Sequence, residues 1–430
     1  MTVWKQRLVF LIGAIFLGLL IVFMIILSEW AGETYRGISL LYPWFNFIIS
    51  PFGLSFTAWI TYRFFPGSER SGIPQIKTAL EIKDTLEDRI RLISLKIAIG
   101  KIFLPIMGLL SGASVGFGGP AVHVGASFMA SLGKAVKFPN HYMERGLILA
   151  GSAAGFAAMF SAPLAGIIFA IEEMGRALEE KISSLVLTAI IFSGVTAYAI
   201  LDKYIYFNDK SFVMPWSQSW IAVPLCGIAG GFLGGVFSKI IIRGSRSLKR
   251  TKIPITLIAF GSGLVIATLG YYSNGTSFGT GFSEAKNILT SDQPIDPLFP
   301  FFKMFATCAT FFSGIPSGIF VPSLATGAGF GANLAHWFPV APASAMILLT
   351  MTAYFSGMLQ SPLTSFVIVM EMTGSHEILI PLMATAFFAT RTSKLINPIP
   401  LYRELCNSYI QPKKPEPTNV DSEDHESTST

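Results

Sequence analysis

Long stretches of apolar residues, separated by short polar segments, recur along almost the whole chain. The first covers residues 8–27, and comparable stretches continue to about residue 410. About 20 consecutive apolar residues suffice for a helix to cross a bilayer. Several later stretches are interrupted by glycine and proline, which favours helices that begin or end at membrane depth. The pattern therefore predicts an all-α polytopic membrane protein with many tilted, partly discontinuous helices.

The first apolar stretch follows Lys5 and Arg7, so it has features of a secretory signal peptide. It is longer than the usual hydrophobic region of such a signal, and no cleavage site of the small-x-small type follows it. We therefore expect it to be retained as a helix.

The composition agrees with a protein whose main solvent is the lipid bilayer. Of the 430 residues, 52% are hydrophobic and only 13% are charged, and the mean hydropathy is +0.58. Soluble proteins carry about 25% charged residues. The three cysteines stand singly and the five histidines show no metal-ligand spacing, so we expect neither a disulfide framework nor a metal site. No cofactor is expected either.

The net charge of +6 comes with basic residues that we predict to lie in two short loops. The first group is Lys77, Lys83, Arg89, Arg91 and Lys96, and the second is Arg243, Arg246, Lys249, Arg250 and Lys252. The positive-inside rule places such loops in the cytoplasm. Basic residues near both ends of the chain place the termini there too, in an inner or plasma membrane. Nothing in this distribution indicates nucleic-acid binding.

Two segments about two hundred residues apart share the pattern G-x-x-x-P-x-x-x-x-G-A-x-F-x-A-x-L. The first begins at Gly116 and has its proline at Pro120; the second begins at Gly318 and has its proline at Pro322. Proline is tolerated in the first turn of a helix, so each segment predicts a helix that starts at membrane depth. Helix N-termini present free N–H groups and a positive dipole end. Two of them inside a bilayer favour a site for a small anion.

A second pair of matching segments supports a repeat. Pro163 and Pro362 each precede an apolar helix whose acidic residue, Glu172 or Glu371, lies nine positions later. We predict two homologous halves, residues 1–205 and 206–410, of the inverted-topology kind found in transporters. A polar stretch, residues 202–218, links them. Residues 411–430 are predicted to be a disordered cytoplasmic tail, too short for a folded regulatory domain of the CBS type.

The motifs together resemble the CLC family of chloride channels and chloride/proton antiporters, over residues 8–410. The family's anion-site motifs G-S-G-I-P, G-x-E-G-P and G-x-F-x-P are matched by residues 70–74 (R-S-G-I-P), 116–120 (G-F-G-G-P) and 318–322 (G-I-F-V-P). Residues 153–174 and 400–402 also match. The resemblance implies chloride binding by Ser71, Ile319, Phe320 and Tyr402, and an outer anion position at Phe117, Gly118 and Gly119. It also implies a homodimer with one pore in each subunit.

Two of these side chains have alternative explanations. Ser71 is also placed to be an ordinary helix N-cap, and Tyr402 to be an amphipathic tyrosine at the membrane interface. In the anion hypothesis both hydroxyls donate to the ion, while Ile319 and Phe320 offer backbone N–H groups. Neutral donors of this kind suit rapid passage, because a full positive charge would hold the anion too tightly.

The chain departs from the family at Gly118, where the family usually carries a glutamate that gates the pore and accepts a proton. Residues 89–143 contain no aspartate or glutamate that would replace it. Phe117 is a possible steric gate; the alternative is a core or lipid contact. Glu173 matches the family's inner proton-transfer glutamate; the alternative is a structural role shared with Glu172. His123 is a possible pH sensor; the alternative is a packing residue.

The function predicted from these residues is passive, anion-selective permeation of chloride, with proton-coupled antiport through another acceptor as the alternative. Ser71 disfavours both a fluoride exporter, since those relatives lack the serine, and a nitrate-selective member, which commonly carries proline there. An intramembrane serine protease is disfavoured because its G-x-S-G motif needs a glycine where the chain has Ile315. We therefore do not expect an enzyme.

Overall fold

The computed structural model describes residues 3–81, 92–136, 141–174, 184–201, 214, 218–291, 296–407 and 409. These residues form 17 α-helices and no strand, which confirms the all-α prediction. The first eight are α1 Val3–Leu41, α2 Asn46–Phe64, α3 Ile73–Glu81, α4 Leu95–Leu109, α5 Gly118–Ala135, α6 His141–Phe160, α7 Pro163–Phe169 and α8 Ser184–Ile200. The others are α9 Ala222–Arg250, α10 Ile255–Tyr272, α11 Phe282–Thr290, α12 Phe299–Phe312, α13 Phe320–Trp337, α14 Ala343–Leu359, α15 Pro362–Thr373, α16 Leu379–Ile396 and α17 Leu401–Cys406.

Apolar side chains cover the outside of the helices as well as the core. On α1 and α2 the exposed fraction is 52% for Phe16 and 62% for Phe52. By contrast, every residue of α14 from Ala345 to its end is buried. Large apolar side chains on an outer surface suit contact with lipid, since lipid tails are themselves apolar. Among the residues that the structure describes, three segments are long and apolar enough to cross a membrane by length and composition: Arg7–Leu41, Gln218–Arg250 and Ile255–Tyr272.

Other helices are short or begin inside the protein. The first residues of α5 and α13, Gly118 and Phe320, are buried. The helices α7 and α15 each start with a proline at the first helical position. Proline suits this position because its φ is already helical and because it has no N–H group that would lack an acceptor there. Close packing brings α5 and α6 together: a Cβ atom at Gly125 would collide with the carbonyl oxygen of Gly151. Small residues at such crossings allow backbones to approach in a membrane.

The prediction that the two basic groups lie in loops was wrong for most of them. Lys77 is in α3 and Lys96 is in the first turn of α4. Arg243, Arg246, Lys249 and Arg250 are in α9, and Lys252 follows it. The helix continues through this basic segment because lysine and arginine have good helix propensity and complement the negative end of the helix dipole.

Several sequence predictions concern residues that lie outside the described part of the chain. They include Lys83, Arg89 and Arg91, most of the linker at 202–218, and the tail at 411–430. The division into halves at residue 205 stays a prediction.

Two glutamates join the predicted halves by capping each other's helices. The carboxylate of Glu371, in α15, accepts hydrogen bonds from the N–H groups of Leu164 and Ala165 at the start of α7, at 3.0 and 2.6 Å. In the same way Glu172 accepts from Leu363 and Thr364 at the start of α15, at 3.0 and 2.6 Å. A carboxylate at a helix N-terminus satisfies unpaired N–H groups and complements the dipole.

We expect Glu371→Ala to destabilise the protein by about 1.5–3 kcal/mol, the usual contribution of a hydrogen bond to a charged group. The same change at Glu172 should have a similar effect, because the two arrangements match. Thermal unfolding in detergent would measure both.

Glu377→Ala is the matched control, because Glu377 is exposed and follows the same helix. If Glu371→Ala and Glu377→Ala unfold at the same temperature, the reciprocal caps do not contribute to stability.

Candidate anion site

A two-residue contact brings the two predicted helix starts together. The N–H of Gly116 donates to the carbonyl oxygen of Gly318 at 2.9 Å, and the N–H of Gly318 donates to that of Gly116 at 2.7 Å. This isolated antiparallel bridge lies two residues before α5 and two residues before α13. Gly116 suits this approach because an added Cβ would come within 2.8 Å of Cδ of Pro322. The bridge therefore fixes the N-termini of two helices beside each other.

Neither helix start is capped by a side chain. The N-cap residues are Phe117 and Ile319, and neither makes a side-chain capping hydrogen bond. Both are buried, with exposed fractions of 0% and 1%. Helix N-termini without a capping side chain keep N–H groups directed away from the helix. In a buried setting such groups favour an anion.

The residues predicted to bind the central anion lie together around these helix starts. The hydroxyl oxygens of Ser71 and Tyr402 are 3.4 Å apart, and either hydroxyl is able to donate. The Tyr402 ring lies 5.8 Å from that of Phe320, between centroids. Typical O–H···O distances are about 2.7–2.8 Å, so the contact between the two hydroxyls is long. Both hydroxyls are close enough to donate to one shared acceptor beside them.

The alternative explanations of the two hydroxyl residues do not match the geometry. The first hydrogen bond of α3 runs from the N–H of Ile76 to the carbonyl oxygen of Gly72 at 3.1 Å, so Ser71 precedes the N-cap position. Tyr402 is 1% exposed, which is not the environment of a tyrosine at a membrane surface.

The outer residues lie directly against this group. A Cβ atom at Gly118 would be 2.9 Å from Cδ2 of Phe320 and 3.3 Å from Cζ of Phe160. A Cβ atom at Gly119 would collide with the hydroxyl oxygen of Ser71. Gly118 therefore faces the rings of Phe320 and Phe160, and Gly119 faces the hydroxyl of Ser71.

A buried lysine, which we did not predict, anchors the loop that carries Ser71. Lys101 lies in the apolar helix α4 and is 0% exposed. Its ammonium donates to the carbonyl oxygens of Ser68 and Arg70 at 2.9 and 3.0 Å. A buried charge is tolerated when it is fully hydrogen-bonded, so this lysine fixes the loop rather than presenting a free charge. A lysine in the middle of an apolar helix is the signal that would have found it.

The predicted second half contains a matching arrangement. Lys303, in α12, is also 0% exposed. It donates to the carbonyl oxygens of Ser277, Phe278 and Gly279 at 3.0, 3.0 and 2.8 Å, in the loop before α11. Both lysines thus hold a loop that precedes a nine-residue helix.

Glu173 is held by two side chains that the sequence did not connect with it. It lies in a π-helical turn, Ala170–Met174, after α7. Lys77 donates to its Oε1 at 2.7 Å, and Ser361 donates to its Oε2 at 2.5 Å. Both distances are in the range of charge-assisted hydrogen bonds.

His123 lies deep in the protein, three residues after Pro120 and 0% exposed. A Cβ atom at Gly72 would be 2.7 Å from its Nδ1 atom. The ring therefore packs against the loop between Ser71 and α3, on the side of Lys101.

Comparison with known proteins agrees with this architecture. A family model described as voltage gated chloride channel matches residues 52–394. The H(+)/Cl(-) exchange transporter ClcA of Yersinia pestis (strain Angola) is 30% identical over 379 residues, which cover 83% of this chain and 76% of that protein. ClcA of Vibrio cholerae (strain M66-2) is 29% identical, over 86% of this chain and 80% of that protein.

Solved structures share the fold. A crystal structure of a slow cyanobacterial Cl⁻/H⁺ antiporter superposes with a TM-score of 0.78 at 23% identity and covers 93% of this chain and 97% of that one. A CLC-type fluoride/proton antiporter superposes with a TM-score of 0.74 at 22% identity, covering 94% and 99%. These likenesses confirm the all-α polytopic fold. Since the family model matches most of the chain, the protein belongs to the voltage gated chloride channel family, also called the CLC family.

Proposed function

We propose that this protein transports chloride across a membrane passively, as a channel-like or uncoupled member of its family. The observation that carries the proposal is Gly118 at the start of α5, facing Phe320 and Phe160. A glycine there neither fills an anion position nor accepts a proton. Residues 89–143 provide no carboxylate in its place.

The environment of Glu173 supports the same conclusion. Its two carboxylate oxygens accept hydrogen bonds from Lys77 and Ser361, which supports the structural role for this residue. In this proposal Glu173 is a structural anion that positions α3 beside α15.

In the proposed binding mode chloride lies between the hydroxyls of Ser71 and Tyr402 and the N–H groups of Ile319 and Phe320. The N–H groups of Phe117, Gly118 and Gly119 line an outer position. The long Ser71–Tyr402 contact and the uncapped start of α13 support this arrangement. All these donors are neutral, so the anion is held by partial charges and leaves readily.

The alternative function is proton-coupled chloride exchange. It is favoured by the names of the relatives, which are H(+)/Cl(-) exchange transporters. It would require a proton acceptor other than residue 118.

The proposal also includes the assembly expected from the family. The chain would form a homodimer with one pathway in each subunit, with both termini in the cytoplasm. Two inverted halves are supported by the matching roles of Lys101 and Lys303 and of Glu172 and Glu371.

We expect purified protein in sealed vesicles to move chloride without stoichiometric proton movement, because Gly118 accepts no proton. Chloride efflux and internal pH, recorded together, would measure this. Protein-free vesicles provide the control. Uphill proton movement driven by a chloride gradient would show that the protein is coupled.

We expect Gly118→Glu to slow chloride flux, because the new carboxylate competes with chloride for one low-dielectric position. The inhibition should be strongest at high pH, where the carboxylate is ionised. Flux across pH 4–8 would measure it.

Gly118→Gln is the matched control, because it adds nearly the same volume beside Phe320 without the charge. We expect Gly118→Gln to slow flux by a factor that does not change with pH. Equal pH profiles for the two variants would show that the charge at position 118 does not meet the anion.

We expect Ser71→Ala and Tyr402→Phe each to weaken chloride binding by about tenfold or less, since one hydrogen bond to a charged group is lost and about 1.4 kcal/mol corresponds to tenfold. The backbone donors remain in both variants. Calorimetric titration of chloride would measure the affinities. Ser152→Ala is the control, because that buried hydroxyl donates within its own helix, to the carbonyl oxygen of Ile148. Unchanged affinity in both site variants would remove the two hydroxyls from the site.

A further inference from the structure

The helix that carries Tyr402 is too short to hold its own position. The helix α17 has six residues, Leu401–Cys406, and its first hydrogen bond runs from the N–H of Glu404 to the carbonyl oxygen of Pro400 at 3.0 Å. Helices of fewer than about 12–15 residues are marginal in isolation, and most helical stability in proteins comes from tertiary packing. The place of the Tyr402 hydroxyl therefore depends on what α17 contacts.

Neighbouring helices hold α17 through two of its side chains. The thiol of Cys406 donates to the carbonyl oxygen of Pro74, in α3, with 3.4 Å between sulfur and oxygen. The carboxylate of Glu404 pairs with the guanidinium of Arg246, in α9. The first contact joins α17 to the helix that follows Ser71. The second joins it to a helix that supplies none of the chloride donors proposed above. Two separate helices thus fix α17.

The two members of the ion pair differ in exposure. The side chain of Arg246 is 61% exposed, whereas that of Glu404 is only 12% exposed. An ion pair between two exposed side chains contributes little to stability. A mostly buried carboxylate that loses its cation is costly, however, because its charge stays in a poorly solvated place. Without Arg246, the favourable response of α17 is a movement that brings Glu404 closer to water.

Such a movement would reach the proposed chloride site. Glu404 is two residues after Tyr402 in the same short helix, so a shift of one displaces the other. The Tyr402 hydroxyl lies 3.4 Å from that of Ser71, and the proposed site needs both hydroxyls next to one anion. Hydrogen bonds weaken steeply when donor and acceptor lose their alignment. A small displacement of α17 is therefore enough to weaken the contact of Tyr402 with the anion.

We propose that Arg246 is a positioning residue for chloride binding: through Glu404 it holds α17 where the Tyr402 hydroxyl meets the anion. Arg246 acts through this contact and not through its own charge. The inference rests on the proposed chloride site. It applies equally to passive and to proton-coupled transport, since both need that site.

The test is calorimetric titration of chloride into the full-length protein in detergent. We expect Arg246→Gln and Glu404→Gln each to weaken chloride binding about three- to fivefold, within the limit of about tenfold set by loss of the Tyr402 hydroxyl. The two variants change the net charge in opposite directions. If Arg246 attracted chloride by its charge alone, Glu404→Gln would tighten binding, and that result would overturn the proposal.

A double variant separates positioning from a general loss of structure. Once the Tyr402 hydroxyl is absent, its position no longer matters. In a Tyr402→Phe background, Arg246→Gln should therefore change chloride affinity by less than about twofold, the usual limit of additivity. An equal loss in both backgrounds would show that Arg246 acts elsewhere, and would overturn the proposal. The charge reversal, Arg246→Glu with Glu404→Arg, should recover part of the affinity that either change alone loses.

Arg243→Gln is the matched control. Arg243 is an exposed cation one turn earlier in α9, so this variant removes the same charge from the same helix. We expect it to bind chloride like wild type. A loss equal to that of Arg246→Gln would overturn the proposal, because any cation on this part of the helix would then have the same effect.

Fluorine NMR of protein labelled with fluorotyrosine reports the position of Tyr402 without chloride. The resonance that is missing from Tyr402→Phe identifies this residue. We expect it to shift in Arg246→Gln and Glu404→Gln and to keep its wild-type position in Arg243→Gln. An unchanged resonance in the first two variants would overturn the proposal.

The same proteins distinguish failure of this inference from failure of the proposed function. No chloride binding by wild type, or no loss of affinity in Tyr402→Phe, would overturn the proposed site and this inference with it. A loss in Tyr402→Phe without a loss in Arg246→Gln would overturn the inference alone.

Discussion

The pair of hydrogen bonds between Gly116 and Gly318 is the constraint on which the candidate site depends. It joins two segments of the chain that are far apart in sequence and places two helix N-termini side by side. Because the N-cap residues are Phe117 and Ile319, no capping side chain competes for the N–H groups at these two buried helix starts. The remaining members of the site reach this point from separate elements, Ser71 on a loop and Tyr402 at the start of α17.

The charged groups near this site are mostly compensated by other contacts. Lys101 binds carbonyl oxygens of the Ser71 loop, and Lys77 binds Glu173. Each of these cations is therefore bound to protein groups, while the Ser71 and Tyr402 hydroxyls are neutral donors. In the proposed binding mode, neutral donors of this kind bind an anion without trapping it. Arg70 differs from these two lysines, since its Nε has no acceptor among the described residues.

The sequence predicted the helical fold, the two helix starts around Pro120 and Pro322, and the residues that now lie together around them. These were accessible because proline and glycine mark helix starts locally and because the motifs repeat. The ion pair between Lys77 and Glu173 was not predictable, since its partners lie 96 residues apart and no local pattern connects them. Lys77 was assigned to a loop because its charge was considered without the apolar spacing of α3. The anchor at Lys101 was missed although its position in an apolar helix marks it.

The reciprocal caps at Glu172 and Glu371 also bear on how the chain is made. During synthesis α7 leaves the ribosome long before Glu371, which lies 206 residues after its partner Ala165. Until then the start of α7 has no carboxylate, and Glu172 has no helix to cap. An intramembrane carboxylate without a partner is costly, so we expect the predicted first half to be less stable in the bilayer until the second half has been made. The last helices to be inserted therefore complete the first half as well as their own, and premature termination would leave a product exposed to membrane quality control.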